Sequence, residues 1–261
     1  NDVNGTELWK TDGTEAGTVR VRDIYPGTSS SSPHYFTEFN GTLLFSARDS
    51  NGIELWKTDG TEAGTARVKD IYPGTSHSSP YNFTEFNGTL FFRANDVNGT
   101  ELWKTDGTEA GTVRVRDIYP GTDSSNPMGF TDLNGTLLFN AQDINGTELW
   151  KTDGTEAGTV RVKDIWPGTS PSHYMYEAGY FKSADKIYFS ANDGKGGGSS
   201  PWNNLELWKS DGTKAGTKKA KEIYHGANGS NPSNFIIYKG KLFFTANDPM
   251  GNELWMIDPN E

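Results

Sequence analysis

Cysteine is absent from this 261-residue chain, which excludes a disulfide framework, a thiol nucleophile and a thiolate metal site. No apolar run approaches the roughly 18 residues that a membrane-spanning helix needs, so no membrane insertion is expected. Hydrophobic residues are scarce as well, at 33%, with a mean hydropathy of -0.70. Such poverty can signal disorder. Here 8 Trp, 11 Tyr and 14 Phe argue the other way, because each large ring buries much area and a few per segment build a core. Basic residues are outnumbered, 24 against 34 acids, for a net charge of -10. That balance disfavours nucleic acid as a partner, since phosphate contacts need clustered Lys and Arg. The charge is uneven: residues 182–241 hold ten Lys and five acids, a sector of +5 that leaves -15 for the remainder.

What the chain has in abundance is repetition. Glu-Leu-Trp occurs at Glu7, Glu54, Glu101, Glu148, Glu206 and Glu253, at intervals of 47, 47, 47, 58 and 47 residues. The long interval carries an 11-residue insertion, Gly194 to Asn204, that contains Trp202. Residues 7–28 and 101–122 are identical over 22 positions, which implies recent duplication or deliberate construction. The chain opens at Asn1 in mid-repeat, the expected look of a part of something longer.

One period, 33–71, reads as four strands: PHYFTEF, TLLFSARD, IELWKTD and ARVKDI. Asn40-Gly41 and Asn51-Gly52 separate the first three, and Asn-Gly between apolar runs is a strong hairpin signal because both residues tolerate positive φ. Leu55 and Trp56 point to opposite faces yet are both bulky and apolar, so this strand is expected to be buried on both sides, as stacked blades require. The fourth strand alternates apolar residues with Arg or Lys and is expected at the rim, where charge protects an edge. The fold class predicted is an all-β propeller of five four-stranded blades forming a single domain over 1–261. Four blades occupy 33–71, 80–118, 127–165 and 174–223. The fifth is a composite of 1–24 and 233–258, closed by strands from both termini.

The motif ELWKTDGTEAGT, followed by VRVRDI or ARVKDI, resembles the family of bacterial secreted proteins named for its ELWxxDGT repeat, over essentially the whole chain. The resemblance implies an extracellular or surface-attached protein and no particular activity.

Several positions are candidates for function. The second turn reads Asp-x-Asn-Gly-x-Glu: Asp49, Asn51 and Glu54; Asp96, Asn98 and Glu101; Asp143, Asn145 and Glu148. Carboxylate and amide oxygens around a Gly turn suit calcium, although three or four fall short of the usual six to eight. An ordinary hairpin turn in which Asp accepts backbone N–H bonds is the competing account. Asp12, Asp59, Asp106, Asp153 and Asp211, in Asp-Gly-Thr, read as turn residues in that sense. Trp56, Trp103 and Trp150 are either sugar-stacking platforms or core, and Trp202 is a candidate for a contact specific to its repeat. His34, His77, His173 and His225 fall in four different registers, so they make no symmetric ligand set and no triad. The acids recur in every repeat, and that symmetry withholds the distinct pKa values an acid–base pair needs. Sequons at Asn4, Asn40, Asn82, Asn87, Asn98, Asn134, Asn145 and Asn228 are mostly Asn-Gly-Thr turns.

Three functions follow. The first is a non-catalytic adhesion module that binds a glycan or cell-surface polymer through repeated weak sites. The second is a structural or assembly subunit joined through terminal strands. The third is a polysaccharide-acting enzyme that uses the basic, insertion-bearing repeat.

Overall fold

The computed structural model describes residues 3, 5–172, 180–195, 204–224 and 229–259. Among these the protein is all-β. The chain divides into two compact units, Asn1–Asn126 and Pro127–Glu261.

The first unit holds three antiparallel sheets. The first pairs β1 (Leu8–Lys10) with β2 (Val19–Arg22). The second is β3 (His34–Phe39), β4 (Thr42–Asp49), β5 (Gly52–Thr58) and β6 (Ala66–Lys69), in that order. The third is β7 (Tyr81–Phe86), β8 (Thr89–Asp96), β9 (Gly99–Thr105) and β10 (Val113–Arg116). The second unit repeats the plan. Its first sheet is β11 (Met128–Leu133), β12 (Thr136–Asp143), β13 (Gly146–Thr152) and β14 (Val160–Lys163), and the next is β15 (Phe181–Ser183), β16 (Lys186–Ala191), β17 (Glu206–Ser210) and β18 (Lys218–Lys221). The last has three strands, β19 (Ser233–Tyr238), β20 (Lys241–Asp248) and β21 (Gly251–Ile257).

The two-residue turns set the register. Asn40 and Gly41 adopt φ of 51° and 73°, so β3 turns straight into β4 with Phe39 opposite Thr42. Gly52, at φ 112°, closes the next hairpin opposite Asp49. No other residue fits there, because a Cβ would land on the Ser76 carbonyl oxygen. The ladder then places Phe45 opposite Trp56 and Ala47 opposite Glu54.

That register makes the central strands two-faced, as the Leu-Trp pair predicts. On one side Phe45, Ala47 and Trp56 pack with Leu8, Val21 and Ile24 of the first sheet. On the other, Leu44, Leu55, Val68 and Ile71 pack with Leu90, Phe92, Ala94 and Trp103 of the third. The second unit builds its seams the same way: Leu138, Leu149 and Val162 meet Ile187, Phe189 and Trp208, and Leu207 and Ile223 meet Leu242 and Phe244. A polar lacing runs over these seams. Lys10 Nζ donates to the Gly60 carbonyl at 2.9 Å, and Lys57 Nζ to that of Gly107 at 3.0 Å. The fourth strands lie at the sheet edges as expected, with the Arg22 guanidinium donating to the Thr65 carbonyl.

Asp-Gly-Thr is a turn device. Asp59 Oδ1 accepts from Thr61 N at 2.8 Å and Thr61 Oγ1 at 2.7 Å, and those bonds hold its carboxyl below the usual range. The downstream Gly64 is required because a Cβ would collide with that carboxylate.

Candidate binding seams

The Asp-x-Asn-Gly-x-Glu positions are not brought together as a ligand set, which corrects the calcium reading. Asp49 Oδ1 accepts from Asn51 N at 2.7 Å, the ordinary turn bond. Its Oδ2 lies 3.2 Å from Arg67 Nη1, and the Asn51 amide oxygen, turned to the same guanidinium, accepts at 3.1 Å. Arg114 grips Asp96 at 3.3 Å and Asn98 likewise, and Arg161 grips Asp143 at 3.2 Å. The fifth sheet keeps the pair with Lys219 on Asp193 at 3.3 Å. A cation is indeed bound at the turn, and it is a side chain of the fourth strand. Asn145 accompanies Asp143 only through its N–H, donated at 2.7 Å.

The glutamates serve elsewhere. Glu54 is fully buried and accepts three bonds: from Ile71 N at 2.7 Å, Ser78 N at 3.2 Å and Ser78 Oγ at 2.6 Å. It thereby ties down the loop leaving the fourth strand. Glu7, Glu101 and Glu206 each repeat the three bonds, and Glu148 accepts from Ile165 N at 2.9 Å. Burial outweighs those bonds and pushes the carboxyls up, Glu54 and Glu101 to about 7 and Glu148 to about 8. Among the described residues no three of His, Cys, Asp and Glu converge as a metal site.

Trp56, Trp103 and Trp150 are 5%, 6% and 5% exposed. Trp56 and Trp103 lie inside the seam clusters. This corrects their reading as sugar platforms, because a ring closed between two sheets offers no face to a ligand. Their indole N–H groups find no partner among the described residues. Trp202, His173 and His225 lie outside the described residues. His77 accepts from Ile53 N at 3.1 Å and so is a loop contact.

The open chemistry lies at the seam mouths, which reasoning from the sequence missed. Arg48 N donates to the Ser31 carbonyl at 2.9 Å, Asn95 N to that of Ser78 at 2.8 Å, Asn192 N to Ser172 and Asn247 N to Ser230. This repeated bond fixes the second-strand backbone against the preceding loop. The side chains differ: Arg48 is exposed, Asn95 is half-buried and donates to the His77 carbonyl at 3.4 Å, and Asn192 is buried and accepts from Gly194 N at 2.8 Å. Tyr25, Tyr72, Trp166 and Tyr224, four half-buried rings, follow the fourth strands in the same repeats. At the first seam the Arg48 guanidinium carbon sits 5.8 Å from the Tyr25 ring centroid. A cavity of about 330 Å³ opens there, lined by Tyr25, Ser29, Ser30, Ser31, Ser32, His34, Arg48 and Ile53. The available signal was variation at one register: Arg48, Asn95, Gln142, Asn192, Asn247.

No family model matches the chain, and no curated protein matches it in sequence. Solved structures do resemble it. A prolyl endopeptidase aligns with a TM-score of 0.50 at 12% identity, over 88% of this chain and 35% of its own. A puromycin hydrolase aligns at 0.47 and 14%, over 90% and 37%, and a TolB-like protein from Agrobacterium tumefaciens at 0.41 and 11%, over 91% and 80%. The chain spans about a third of the length of the first two. Likeness at these identities shows the fold alone: the sheets are β-propeller-like.

Proposed function

We propose that this chain is a non-catalytic, extracellular binding module of the ELWxxDGT-repeat type that engages a repetitive glycan multivalently at its seam mouths. In this reading β19–β21 and β1–β2 are two parts of one composite blade, and the whole is a five-bladed propeller. The strand content supports it, since β19–β21 supply strands one to three of the repeat and β1–β2 supply strands three and four.

The carrying observation is the recurrence at the mouths of a half-buried ring together with a hydrogen-bonding side chain on a fixed backbone. A ring face suits the C–H face of a sugar, and the half-buried side-chain amides of Asn95 and Asn247 suit its hydroxyls. Linked weak sites of this kind gain avidity without new contacts. The engaged motif acids support the absence of catalysis, because Glu54 is spent on a loop anchor, Asp59 on a turn and Asp49 on an ion pair.

A glycan array followed by calorimetry tests the reading. Several equivalent sites per chain, weakened by Tyr72→Ala, are expected; no sugar hit, or a single site, overturns it. A second reading, assembly, draws on one observation. Leu254 and Met256 of β21 are 72% and 46% exposed, although the register equivalent Leu55 is fully buried between sheets. Light scattering separates the two, since a strict monomer sinks assembly.

A further inference from the structure

The mouth at the first seam differs from the others in charge. Its cavity of about 330 Å³ falls at the small end of ligand pockets, about 300 Å³ upward, and so suits a single sugar ring. We propose that it is a site for a carboxylate-bearing sugar, with Arg48 as the carboxylate ligand. The proposal rests on the glycan reading above and specifies one site within it.

Arg48 stands where the other repeats carry Asn95, Gln142, Asn192 and Asn247. Its side chain is exposed, and among the described residues no carboxylate pairs with it. Among the described residues, Glu7 and Asp49 are already engaged. Glu7 faces inward onto Ile24 and Ser31, and Asp49 is held by Arg67. The guanidinium is therefore left over the cavity with its fork of donors, the geometry that matches a carboxylate in a bidentate pair. Tyr25, beneath it, offers a ring face.

His34 completes the wall. Its Nδ1 lies 2.7 Å from the Ser32 carbonyl oxygen; a carbonyl only accepts, so Nδ1 carries the proton and Nε2 remains for a ligand. The ring is braced by Tyr35, whose centroid is 4.6 Å away and which stacks on Tyr81 at 5.5 Å. Tyr35 adopts φ 55°. At the same register stand Asn82, Gly129 and Asn234, types that tolerate a left-handed backbone, whereas tyrosine there is strained. Strain of this kind gathers at binding sites. Tyr35 is a positioning residue; Arg48, His34 and Tyr25 make the contacts.

The test is calorimetry of the full chain with glucuronate, glucose and acetate, for the natural sequence and for Arg48→Asn, which installs the residue found at the other mouths. Glucuronate is expected to bind at one site per chain. Loss of the charged pair should weaken it about tenfold or more, with glucose binding unchanged and acetate far weaker than glucuronate. Equal affinity for glucuronate and glucose, or no effect of Arg48→Asn, overturns the proposal; acetate matching glucuronate removes the sugar. Neutral glycans binding at several sites with Arg48→Asn inert would sink this inference and leave the multivalent module standing. A single Arg48-dependent glucuronate site without neutral binding would do the reverse.

Discussion

Replacing Glu54 by Gln should change stability by an amount that depends on pH, in a direction the structure dictates. Burial lifts the Glu54 carboxyl from its ordinary 4.5 to about 7. Between those pH values the native state keeps a proton that the unfolded chain has released, so unfolding free energy falls as pH rises. The contribution is intact below pH 4.5 and is lost progressively through about pH 7. At about 1.4 kcal/mol per unit, the loss for this carboxyl comes to about 3 kcal/mol. The neutral acid has a place to put its proton. Ser78 Oγ lies 2.6 Å from Glu54 Oε2 and 3.0 Å from the Ile53 carbonyl oxygen, so the serine can donate to Ile53 while it accepts from the acid. A glutamine cannot copy this arrangement, because its NH₂ must face either Ile71 N–H or Ser78 N–H. At pH 5 Glu54→Gln should therefore cost about 1–3 kcal/mol. By pH 8.5 the natural chain has lost about 3 kcal/mol, and the deficit should vanish or reverse. Urea unfolding of both proteins at the two pH values, in high salt to screen the net charge of -10, reads the difference directly. A deficit that stays constant, or grows with pH, would refute the reasoning, because it would mean the buried group is a hydrogen-bonded carboxylate throughout.

Three further outcomes separate the roles assigned above. Gly52→Ala should cost about 3 kcal/mol or more, since its Cβ meets a main-chain oxygen at φ 112°, whereas Gly60→Ala, at φ 86° with open space around it, should cost only the left-handed penalty of about 1–2 kcal/mol; chemical denaturation ranks them. Trp103→Ala should destabilise by about 3–5 kcal/mol and leave per-site sugar affinity unchanged in the folded fraction, by calorimetry; a selective loss of affinity would restore Trp103 as a platform. Arg114→Ala should cost no more than about 1 kcal/mol, as partly exposed pairs do, and millimolar calcium should leave the melting temperature of the natural chain unmoved; a rise would return Asp96, Asn98 and Glu101 to the metal reading.

The period and its strands were legible because they are local. Asn40-Gly41 specifies a turn through φ alone, and the Leu55-Trp56 pair specifies two buried faces through the two-residue pleat. The fate of Glu54 was not legible, because its partners Ile71 and Ser78 lie 17 and 24 residues downstream and are chosen by how the loop folds back. The Asp49, Asn51 and Glu54 spacing imitates a cation loop only on paper. Glu54 pairs with Ala47, two ladder positions from Asp49, so roughly 7 Å of strand separates carboxylates that a cation would need close together. Meanwhile Arg67, 18 residues on, supplies the positive charge. Tyr25 and Arg48 escaped notice for the same reason: they meet across a seam, and no sequence spacing reports a seam.

A repeat of this kind divides its positions by how many bonds hold them. Glu54, Asp59 and Gly64 answer to fixed partners inside their own repeat, and Lys57 to a carbonyl of the next, so variation there is opposed at every copy. The second-strand residue that ends each seam is different. Its backbone is tied, as in Arg48 to Ser31 and Asn95 to Ser78, while its side chain is held differently from copy to copy: Arg48 faces the cavity, Asn95 reaches the His77 carbonyl, and Asn192 and Asn247 accept local bonds. At Arg48 the register can change chemistry at little cost to the fold, because the side chain is exposed and an exchange of Arg for Asn touches neither the ladder bonds nor the apolar seam. Under the proposed glycan reading, differences between repeats in what they bind belong at this position and at the facing ring. The near-identity of the other motif residues then reflects the demands of stacking one sheet on the next.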